Sequence, residues 1–237
     1  MVPIHPMRIE ELDYHLPTEL IADRPVEPRD SSRLMIVHRK TGQIEHRVFT
    51  DLTGYLVRGD LLVLNSARVV PARLLARRPE HAREQIEILV LDAGSSSQCR
   101  AWLSPARKVK PGSQLISAQT ETQIHVEGRD RDGSWKLRLE DDRNGWRELL
   151  EQEGHMPLPP YILKRRAIKA DVPEDRVWYQ TAFADRDGAI AAPTAGLHFS
   201  KELLDRIHAA GVDNARIFLK VGPGTFRPIR TAKVEEH

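Results

Sequence analysis

Five short strand-like segments follow one another at close and regular spacing in the middle of the chain. They occupy residues 86–91, 98–103, 114–116, 122–126 and 135–139, and clusters of turn-forming residues separate them. Short strands at even spacing, with turn signals between them, are typical of a small antiparallel barrel. We therefore predict a contiguous β-barrel over about residues 74–156, built from about five or six strands.

The segments before and after this barrel have the patterns of paired strands. Residues 34–38 and 43–49 are expected to form a hairpin around a turn at residues 40–42. Residues 60–65 form a short, continuous apolar run of the kind found in buried strands, and a second such run covers residues 215–221. Strands outside the barrel therefore come from both ends of the chain.

A helix is expected between these outer strands. Ser200 is a favourable N-cap residue, apolar side chains then repeat at helical spacing, and Gly211 supplies a left-handed stop, so the helix covers residues 201–210. A second helical segment is expected at residues 146–151. The polar residues 164–174 are interpreted as a surface loop that follows a stiff, proline-rich connection.

Composition places the protein among globular, cytoplasmic proteins. The chain has 237 residues, 40% of them hydrophobic, and a formal net charge of +2, so a nucleic-acid partner has to be met by local basic patches. The single cysteine, Cys99, cannot form an internal disulfide, and no apolar run reaches the length of a membrane span. The sequence shows no His, Cys and Asp cluster with metal-ligand spacing, and we expect no metal.

Several ordered motifs resemble the S-adenosylmethionine:tRNA ribosyltransferase-isomerase family of queuosine biosynthesis. The most distinctive is GAIAAPTAGLHF at residues 188–199, followed at the family's interval by VGPGTF at residues 221–226. The other matching segments, in the family's order, are RDSSRL at 29–34, GDLLVLN at 59–65, RVVPARL at 68–74, GHMPLPPYI at 154–162 and YQT at 179–181.

The resemblance implies a fold of class α/β plus β. In it, a discontinuous α/β domain with a mixed sheet is interrupted by the inserted antiparallel β-barrel. On this basis the α/β domain covers residues 1–73 and 157–237, and the barrel domain covers residues 74–156.

The resemblance also implies a reaction. The family moves the ribosyl part of S-adenosylmethionine, which is consumed as a co-substrate, onto 7-aminomethyl-7-deazaguanine at the wobble position of a tRNA. Adenine and methionine leave, and epoxyqueuosine remains. The implied protein is a cytoplasmic, monomeric transferase and isomerase that binds tRNA and no membrane. Such chemistry needs a base, an acid for the departing adenine, an anchor for the methionyl carboxylate and cations for RNA phosphates.

Candidate site residues follow from the matched motifs. His198 ends the small-residue loop, where a helix N-terminus is expected to lower its pKa and favour a neutral, proton-accepting imidazole. Arg68 and Arg73 flank Pro71 where the chain leaves an apolar strand, a position suited to clamping a carboxylate or phosphate. The catalytic candidates are His198, Arg68 and Tyr179. The substrate-binding candidates are Arg73, Asn65, Pro193, Thr194, Ala195, Gly196, Gly222, Gly224, Thr225 and His155.

Two basic clusters are candidate RNA contacts. The first, on the barrel, contains Arg107, Lys108 and Lys110, and the second, after the proline-rich connection, contains Lys164, Arg165, Arg166 and Lys169. Solvated surface charge is the alternative for both. Trp102, near the first cluster, either stacks on a base or, as we favour, packs in the barrel core.

Two departures from the family pattern bear on function. Lys220 stands immediately before Val221, where the family usually has histidine. The family also continues beyond the position of His237, so we expect the chain to lack the C-terminal third. The alternatives to an active enzyme are therefore a truncated, non-catalytic fragment that retains RNA or ligand binding, and an unrelated small-ligand α/β enzyme.

Overall fold

The computed structural model describes residues 7–81, 83–93, 97–141, 145–168, 170–226, 229 and 231–236. Strands and α-helices alternate with short 3₁₀ turns. The strands are β1 (Arg33–Val37), β2 (Ile44–Val48), β3 (Leu61–Asn65), β4 (Ala67–Val69), β5 (Arg73–Arg77), β6 (Ile86–Asp92), β7 (Gln98–Ser104), β8 (Gln114–Ser117), β9 (Gln123–Arg129), β10 (Trp135–Leu139), β11 (Arg186–Ala189) and β12 (Asp213–Ile217). The α-helices are α1 (Gly145–Glu153), α2 (Pro160–Arg166), α3 (Asp175–Trp178) and α4 (Lys201–Ala209).

Strands β5 to β10 close into an antiparallel barrel, in the order β10-β7-β6-β5-β8-β9. Its interior follows the period of two that a strand imposes. In β6, for example, Ile86, Ile88 and Val90 are at most 3% exposed, whereas Glu87 and Leu89 lie on the outer face. Helix α1 covers one part of the barrel through the buried side chains of Trp146 and Leu149. The barrel together with the outer strands and helices confirms the predicted fold class, and the domain boundaries at residues 74 and 156 stay a prediction.

The strand β5 was missed in the sequence, and Trp102 was placed on the wrong face. Arg73 and Arg77 begin and end β5, so its apolar alternation is obscured, yet it pairs with both β6 and β8 and completes the barrel. On β7 the buried residues are Cys99, Ala101 and Leu103, which leaves Trp102 on the outer face. The barrel-core interpretation of Trp102 is therefore wrong.

Outside the barrel, the predicted hairpin β1–β2 and two parallel strand pairs form small sheets. β12 runs parallel to β3, and β11 runs parallel to β4. Helix α4 packs on the first pair: Leu203 and Ile207 from the helix join Leu64 of β3 and Phe199 in one buried cluster. A second cluster lies beneath β4 and β11 and contains Val69, Met156 and Tyr179.

Two expectations for this outer part are wrong. Strand β3 is not buried on both faces, because α4 covers only one of them: Leu64 is 5% exposed, whereas Leu61 and Val63 are 60% and 53% exposed. Residues 164–166 are not in a loop, because Pro160 opens α2 at its first turn and the helix runs to Arg166 before Ala167 adopts the left-handed conformation that ends it. Among the described residues, no helix combines the length and apolar character needed to cross a membrane.

Candidate active site

A large cavity that contains His198 lies between the N-terminal segment and the 3₁₀ helix Thr194–His198. This His198 cavity has a volume of about 810 Å³, and its walls come from residues 16–33, from α2 and α3, and from that 3₁₀ helix. Most of the lining is apolar, and the polar groups include Arg29, Ser32 and His198. An apolar cavity with a few convergent polar groups is the usual form of a small-molecule site.

His198 is held in this cavity by contacts on two sides. Its Nδ1 lies 3.0 Å from Ser32 Oγ, and its ring centroid lies 5.2 Å from that of Phe49. Although His198 is partly exposed, partial burial, and then the positive charge of Arg29, hold its pKa below the ordinary value. The pKa is shifted in the predicted direction, and the causes are partial burial and the charge of Arg29. A neutral imidazole at neutral pH is therefore available to accept a proton.

Arg29 is positioned by the end of α3. Its Nη1 donates to the carbonyl of Gln180 at 2.7 Å, and Nη2 donates to the carbonyl of Val177 at 3.4 Å. The amide side chain of Gln180 in turn accepts from Val69 N–H at 3.0 Å and donates to Val69 C=O at 2.6 Å. Gln180 therefore links Arg29 to β4 through hydrogen bonds.

Helix α4 begins beside the same cavity. Ser200 Oγ accepts from Leu203 N–H at 3.0 Å, as the N-cap prediction requires, and donates to Asp30 Oδ2 at 2.6 Å. Asp30 is 7% exposed, so this hydrogen bond fixes the motif at residues 29–34 against the start of α4.

Tyr179 lines the His198 cavity but is mostly buried in the neighbouring core. It is 5% exposed and belongs to the cluster with Val69, Met156 and Leu158. Burial raises the pKa of the Tyr179 phenol, so the group is protonated at neutral pH and able to donate a hydrogen bond. Both a packing role and a donor role are compatible with this position.

The small-residue loop before His198 has a packing function at Gly196. A Cβ atom at Gly196 would lie 2.8 Å from the ring of Phe183 and 2.9 Å from the methyl group of Thr181. The glycine is buried and permits this close approach of the backbone to protein side chains. Thr194 lines the His198 cavity, Pro193 precedes the 3₁₀ helix as its N-cap residue, and Ala195 is exposed within that helix.

Arg68 lies in a different cavity, of about 490 Å³, which we call the Arg68 cavity. Its Nη1 is 3.7 Å from Asp187 Oδ1, and Nη1 of Arg147 is 3.7 Å from the other oxygen of the same carboxylate. Lys220 and Gly222 also line this cavity. Gly224 and Thr225 are exposed in the 3₁₀ helix Pro223–Phe226 and do not line it.

Arg73 does not share a cavity with Arg68, because it lines a third cavity on the outer face of the barrel. Its Nη2 donates to Glu87 Oε2 at 2.6 Å, and its backbone pairs with that of His155. A joint clamp by Arg68 and Arg73, suggested by their spacing, is therefore absent from the described structure. Each arginine instead pairs with its own carboxylate.

His155 and Asn65 make contacts that stabilise the fold. Nδ1 of His155 is 2.5 Å from Asp171 Oδ1. Burial acts to raise the pKa of Asp171, but the hydrogen bonds from His155 and Met156 N–H outweigh it and hold that pKa below its usual value. The side chain of Asn65 bonds both the N–H and the C=O of Leu219, at 3.1 Å each. These side chains are therefore already engaged within the protein.

Each basic cluster contains a cation that pairs with a carboxylate of the protein. Lys108 Nζ lies 3.0 Å from Glu84 Oε1, and hydrogen bonds from Arg78 and Lys108 lower the pKa of Glu84 to about 2. Arg166 makes two bonds to the buried Asp175, at 2.6 and 2.9 Å. Arg107, Lys108, Lys110, Lys164 and Arg165 are all exposed, and of these Lys108 pairs with Glu84. Lys169 lies outside the described residues.

Two residues of the site had no role assigned from the sequence. Arg29 and Ser32 both lie within the RDSSRL motif at residues 29–34, which in the sequence contributes only to the family resemblance. Their proximity to His198 depends on the fold, since 166 residues separate Ser32 from His198. The described residues contain no group of three His, Cys, Asp or Glu side chains arranged to hold a metal ion.

Comparison with known proteins gives consistent relatives. An S-adenosylmethionine:tRNA ribosyltransferase-isomerase of Thermotoga petrophila is 46% identical over 233 residues, which is 98% of this chain and 65% of that protein. The protein of the same name from Moorella thermoacetica is 43% identical over 231 residues, again 98% of this chain and 65% of that protein. A solved S-adenosylmethionine tRNA ribosyltransferase from Thermotoga maritima is 36% identical, covers 89% of this chain and 58% of that chain, and has a TM-score of 0.35.

The chain therefore spans about 65% of the length of the curated relatives it matches. A family model described as "Queuosine biosynthesis protein" matches residues 9–237, and so includes the RDSSRL motif, the barrel and the His198 loop. On these grounds the chain belongs to the queuosine biosynthesis protein family.

Proposed function

We propose that the protein is an S-adenosylmethionine:tRNA ribosyltransferase-isomerase. The reaction moves the ribosyl moiety of S-adenosylmethionine onto 7-aminomethyl-7-deazaguanine at the wobble position of a tRNA, gives epoxyqueuosine, and releases adenine and methionine. The family match and the names of relatives at 43–46% identity support this proposal. S-adenosylmethionine is consumed as a co-substrate, no metal takes part, and the protein works as a cytoplasmic monomer on tRNA.

The observation that carries the proposal is the position of His198 beside Ser32, in a cavity that Arg29 also lines. The ribosyl transfer needs a base that removes a proton next to the sulfonium, and a base works best when it is unprotonated at the working pH. Burial and the Arg29 charge keep His198 in that form. When Nδ1 carries the proton and donates to Ser32 Oγ, Nε2 is left to accept the substrate proton.

The other roles are assigned by charge and position. Arg29 reaches the same cavity as His198 and is suited to the methionyl carboxylate, because a guanidinium matches a carboxylate in geometry. Tyr179 is a protonated donor on the wall of this cavity and is our candidate acid for adenine. Arg68 and Lys220, in the Arg68 cavity, are assigned to RNA phosphate.

The test is to follow the products of the reaction with S-adenosylmethionine and a tRNA that carries 7-aminomethyl-7-deazaguanine. Adenine and methionine should appear in equal amounts. His198→Gln should abolish both, whereas the matched control His208→Gln, on the exposed side of α4, should not. Release of S-adenosylhomocysteine would show methyl transfer and overturn the proposal.

A second candidate is a non-catalytic function, in which this stretch of chain binds RNA or a ligand without turnover. One observation favours it: one face of the β3–β12 sheet is open, with Leu61 60% and Ile217 39% exposed. Binding of tRNA and of S-adenosylmethionine without any single-turnover release of adenine would support this candidate. Adenine release at a rate equal to that of a full-length relative would exclude it.

A further inference from the structure

Gln180 connects the walls of the two cavities that the proposed reaction uses. It lines the Arg68 cavity together with Arg68 and Val69. Its main-chain carbonyl accepts a hydrogen bond, at 2.7 Å, from Nη1 of Arg29, which lines the His198 cavity. A change at Gln180 therefore reaches both cavities.

The side-chain amide of Gln180 lies along one edge of β4. The other edge of β4 pairs with β11, where Val70 N–H donates to Ala189 C=O at 3.0 Å. Val69, one residue earlier, directs its main-chain groups to the opposite edge, and no strand of the described chain pairs there. The amide of Gln180 takes that place: it accepts from Val69 N–H at 3.0 Å and donates to Val69 C=O at 2.6 Å.

An amide side chain is well suited to this edge. It carries an acceptor and two donors, so it satisfies the N–H and the C=O of one residue at the same time, as a neighbouring strand would. Val69 is 2% exposed, and buried main-chain groups without partners are destabilising. The two hydrogen bonds therefore hold the side chain of Gln180 in one place, and with it the main chain that carries it.

The main chain of Gln180 in turn orients Arg29. Nη2 of Arg29 also donates to Val177 C=O, but at 3.4 Å this is a weaker contact than the 2.7 Å bond to Gln180 C=O. The positive charge of Arg29 acts on His198 and helps to hold the pKa of that imidazole below its ordinary value. The other charged side chains that line this cavity are Asp23, Arg24, Arg33, Arg166 and Asp175.

We propose that Gln180 is a positioning residue for the His198 cavity. By pairing with the edge of β4, its amide holds the carbonyl that orients Arg29. The inference rests on the proposed function only for the use of Arg29, which is to bind the methionyl carboxylate. The position of the Arg29 charge is measured without turnover.

The first measurement is an NMR titration of the His198 ring in the parent protein, Gln180→Met, Arg29→Met and the double variant. Gln180→Met keeps the length of the side chain and removes both hydrogen bonds to Val69, so the pKa of His198 should rise towards its value in Arg29→Met. The double variant should show the same pKa as Arg29→Met, because Gln180 acts through Arg29. An unchanged pKa in Gln180→Met, or an added rise in the double variant, overturns the assignment.

The matched control is Asn65→Leu, which removes a similar amide. Asn65 bonds the N–H and the C=O of Leu219, at 3.1 Å each, and accepts from Ala67 N–H at the start of β4, but it does not line the His198 cavity. Asn65→Leu should lower the urea midpoint, as Gln180→Met does, and leave the pKa of His198 unchanged. An equal rise of that pKa in the control would show a general loosening of β4 and overturn the assignment. If Gln180→Met does not fold, Gln180→Asn, whose amide is one methylene too short to reach Val69 fully, decides the question.

The second measurement is equilibrium dialysis with S-adenosylmethionine and with its analogue that lacks the methionyl carboxylate. Gln180→Met should weaken binding of S-adenosylmethionine by about tenfold and change binding of the analogue little, because only the former uses Arg29. An equal loss for both ligands overturns positioning through Arg29. If the parent protein binds neither ligand, the proposed function is contradicted, and the His198 titration still decides the role of Gln180.

Discussion

Ser32 Oγ lies 3.0 Å from Nδ1 of His198 and joins two motifs that are 166 residues apart in the chain. One motif leads into β1, and the other ends the small-residue loop before α4. Because Ser32 holds one ring nitrogen, the orientation of the imidazole is fixed. The second ring nitrogen is then the one that can act on a substrate.

The first prediction concerns the pKa of His198. Replacing Arg29 with methionine removes the nearby positive charge, so the pKa of His198 should rise towards its ordinary value. Arg29→Lys retains the charge and should leave the pKa low. The measurement is an NMR titration of the His198 ring in the three proteins. A His198 pKa that is the same in Arg29→Met and in the parent protein would assign the whole shift to burial.

The second prediction follows from the direction of that shift. The pKa of His198 is lower in the folded protein than in the unfolded chain, so the unfolded chain binds more protons as pH falls. Stability attributable to His198 is therefore present above about pH 6.5 and declines as pH falls below it. Urea unfolding of the parent protein and of His198→Gln, compared at several pH values, should show the parent losing stability relative to the variant below this pH. A difference that does not change with pH contradicts the shift.

The third prediction concerns the start of α4. Ser200→Ala removes both the cap to Leu203 N–H and the bond to Asp30, and should lower the free energy of unfolding by about 1 kcal/mol or more. Ser200→Thr should preserve most of the stability. Ser200→Asp, normally an equivalent cap, should not, because its carboxylate would lie against that of Asp30. Full stability of Ser200→Asp in urea unfolding would show that the hydrogen bond to Asp30 is unimportant.

The helix α4 and the barrel interior could be predicted from sequence because each depends on a local pattern. Ser200, Gly211 and the apolar repeat between them specify the helix, and in β6 the alternation at Ile86 and Ile88 specifies the inward face. Strand β5 could not be predicted in this way, because a buried arginine, Arg73, which pairs with Glu87 on the neighbouring strand, interrupts the apolar pattern.

The candidate site could be predicted only in part, because some of its residues belong to one contiguous motif and others come from distant segments of the chain. His198 was found because it belongs to a contiguous motif, but its partner Ser32 comes from the other end of the chain. Arg68 and Arg73 are close in sequence, yet β4 and β5 carry them to different cavities. Spacing along the chain specifies neighbours within an element and does not specify which cavity a side chain enters.

The fourth prediction concerns Gly196. Gly196→Ala places a methyl group against Phe183 and Thr181 and should destabilise the protein by about 1–3 kcal/mol. The matched controls are Gly222→Ala and Gly224→Ala, where a Cβ atom has nothing within 4 Å. Both controls should unfold at the same urea concentration as the parent protein. Equal stability of all three variants would contradict the packing role that we assign to Gly196.

The last prediction compares the contributions of Arg107 and Lys110 to tRNA binding with that of Lys108, which is paired with Glu84. All three side chains are exposed, but Lys108 is also bound to Glu84, whose pKa of about 2 keeps the carboxylate ionised at neutral pH. The double variant Arg107→Gln/Lys110→Gln should bind the proposed tRNA partner with a weaker salt dependence. The slope of the logarithm of the association constant against the logarithm of salt concentration should fall in magnitude by about 0.9 for each phosphate that the variant no longer neutralises. Lys108→Gln should change the slope little, because its charge is already paired.

Glu84→Gln provides the complementary test on the same surface. It frees Lys108 and removes a negative charge, so tRNA binding should tighten and its salt dependence should steepen, provided that the barrel cluster faces the RNA. Filter binding across a salt series measures both quantities, and S-adenosylmethionine affinity should stay constant in every variant. If Glu84→Gln and the double variant leave the slope unchanged, the barrel cluster is solvated surface, and the RNA-binding role passes to the exposed Lys164 and Arg165 of α2.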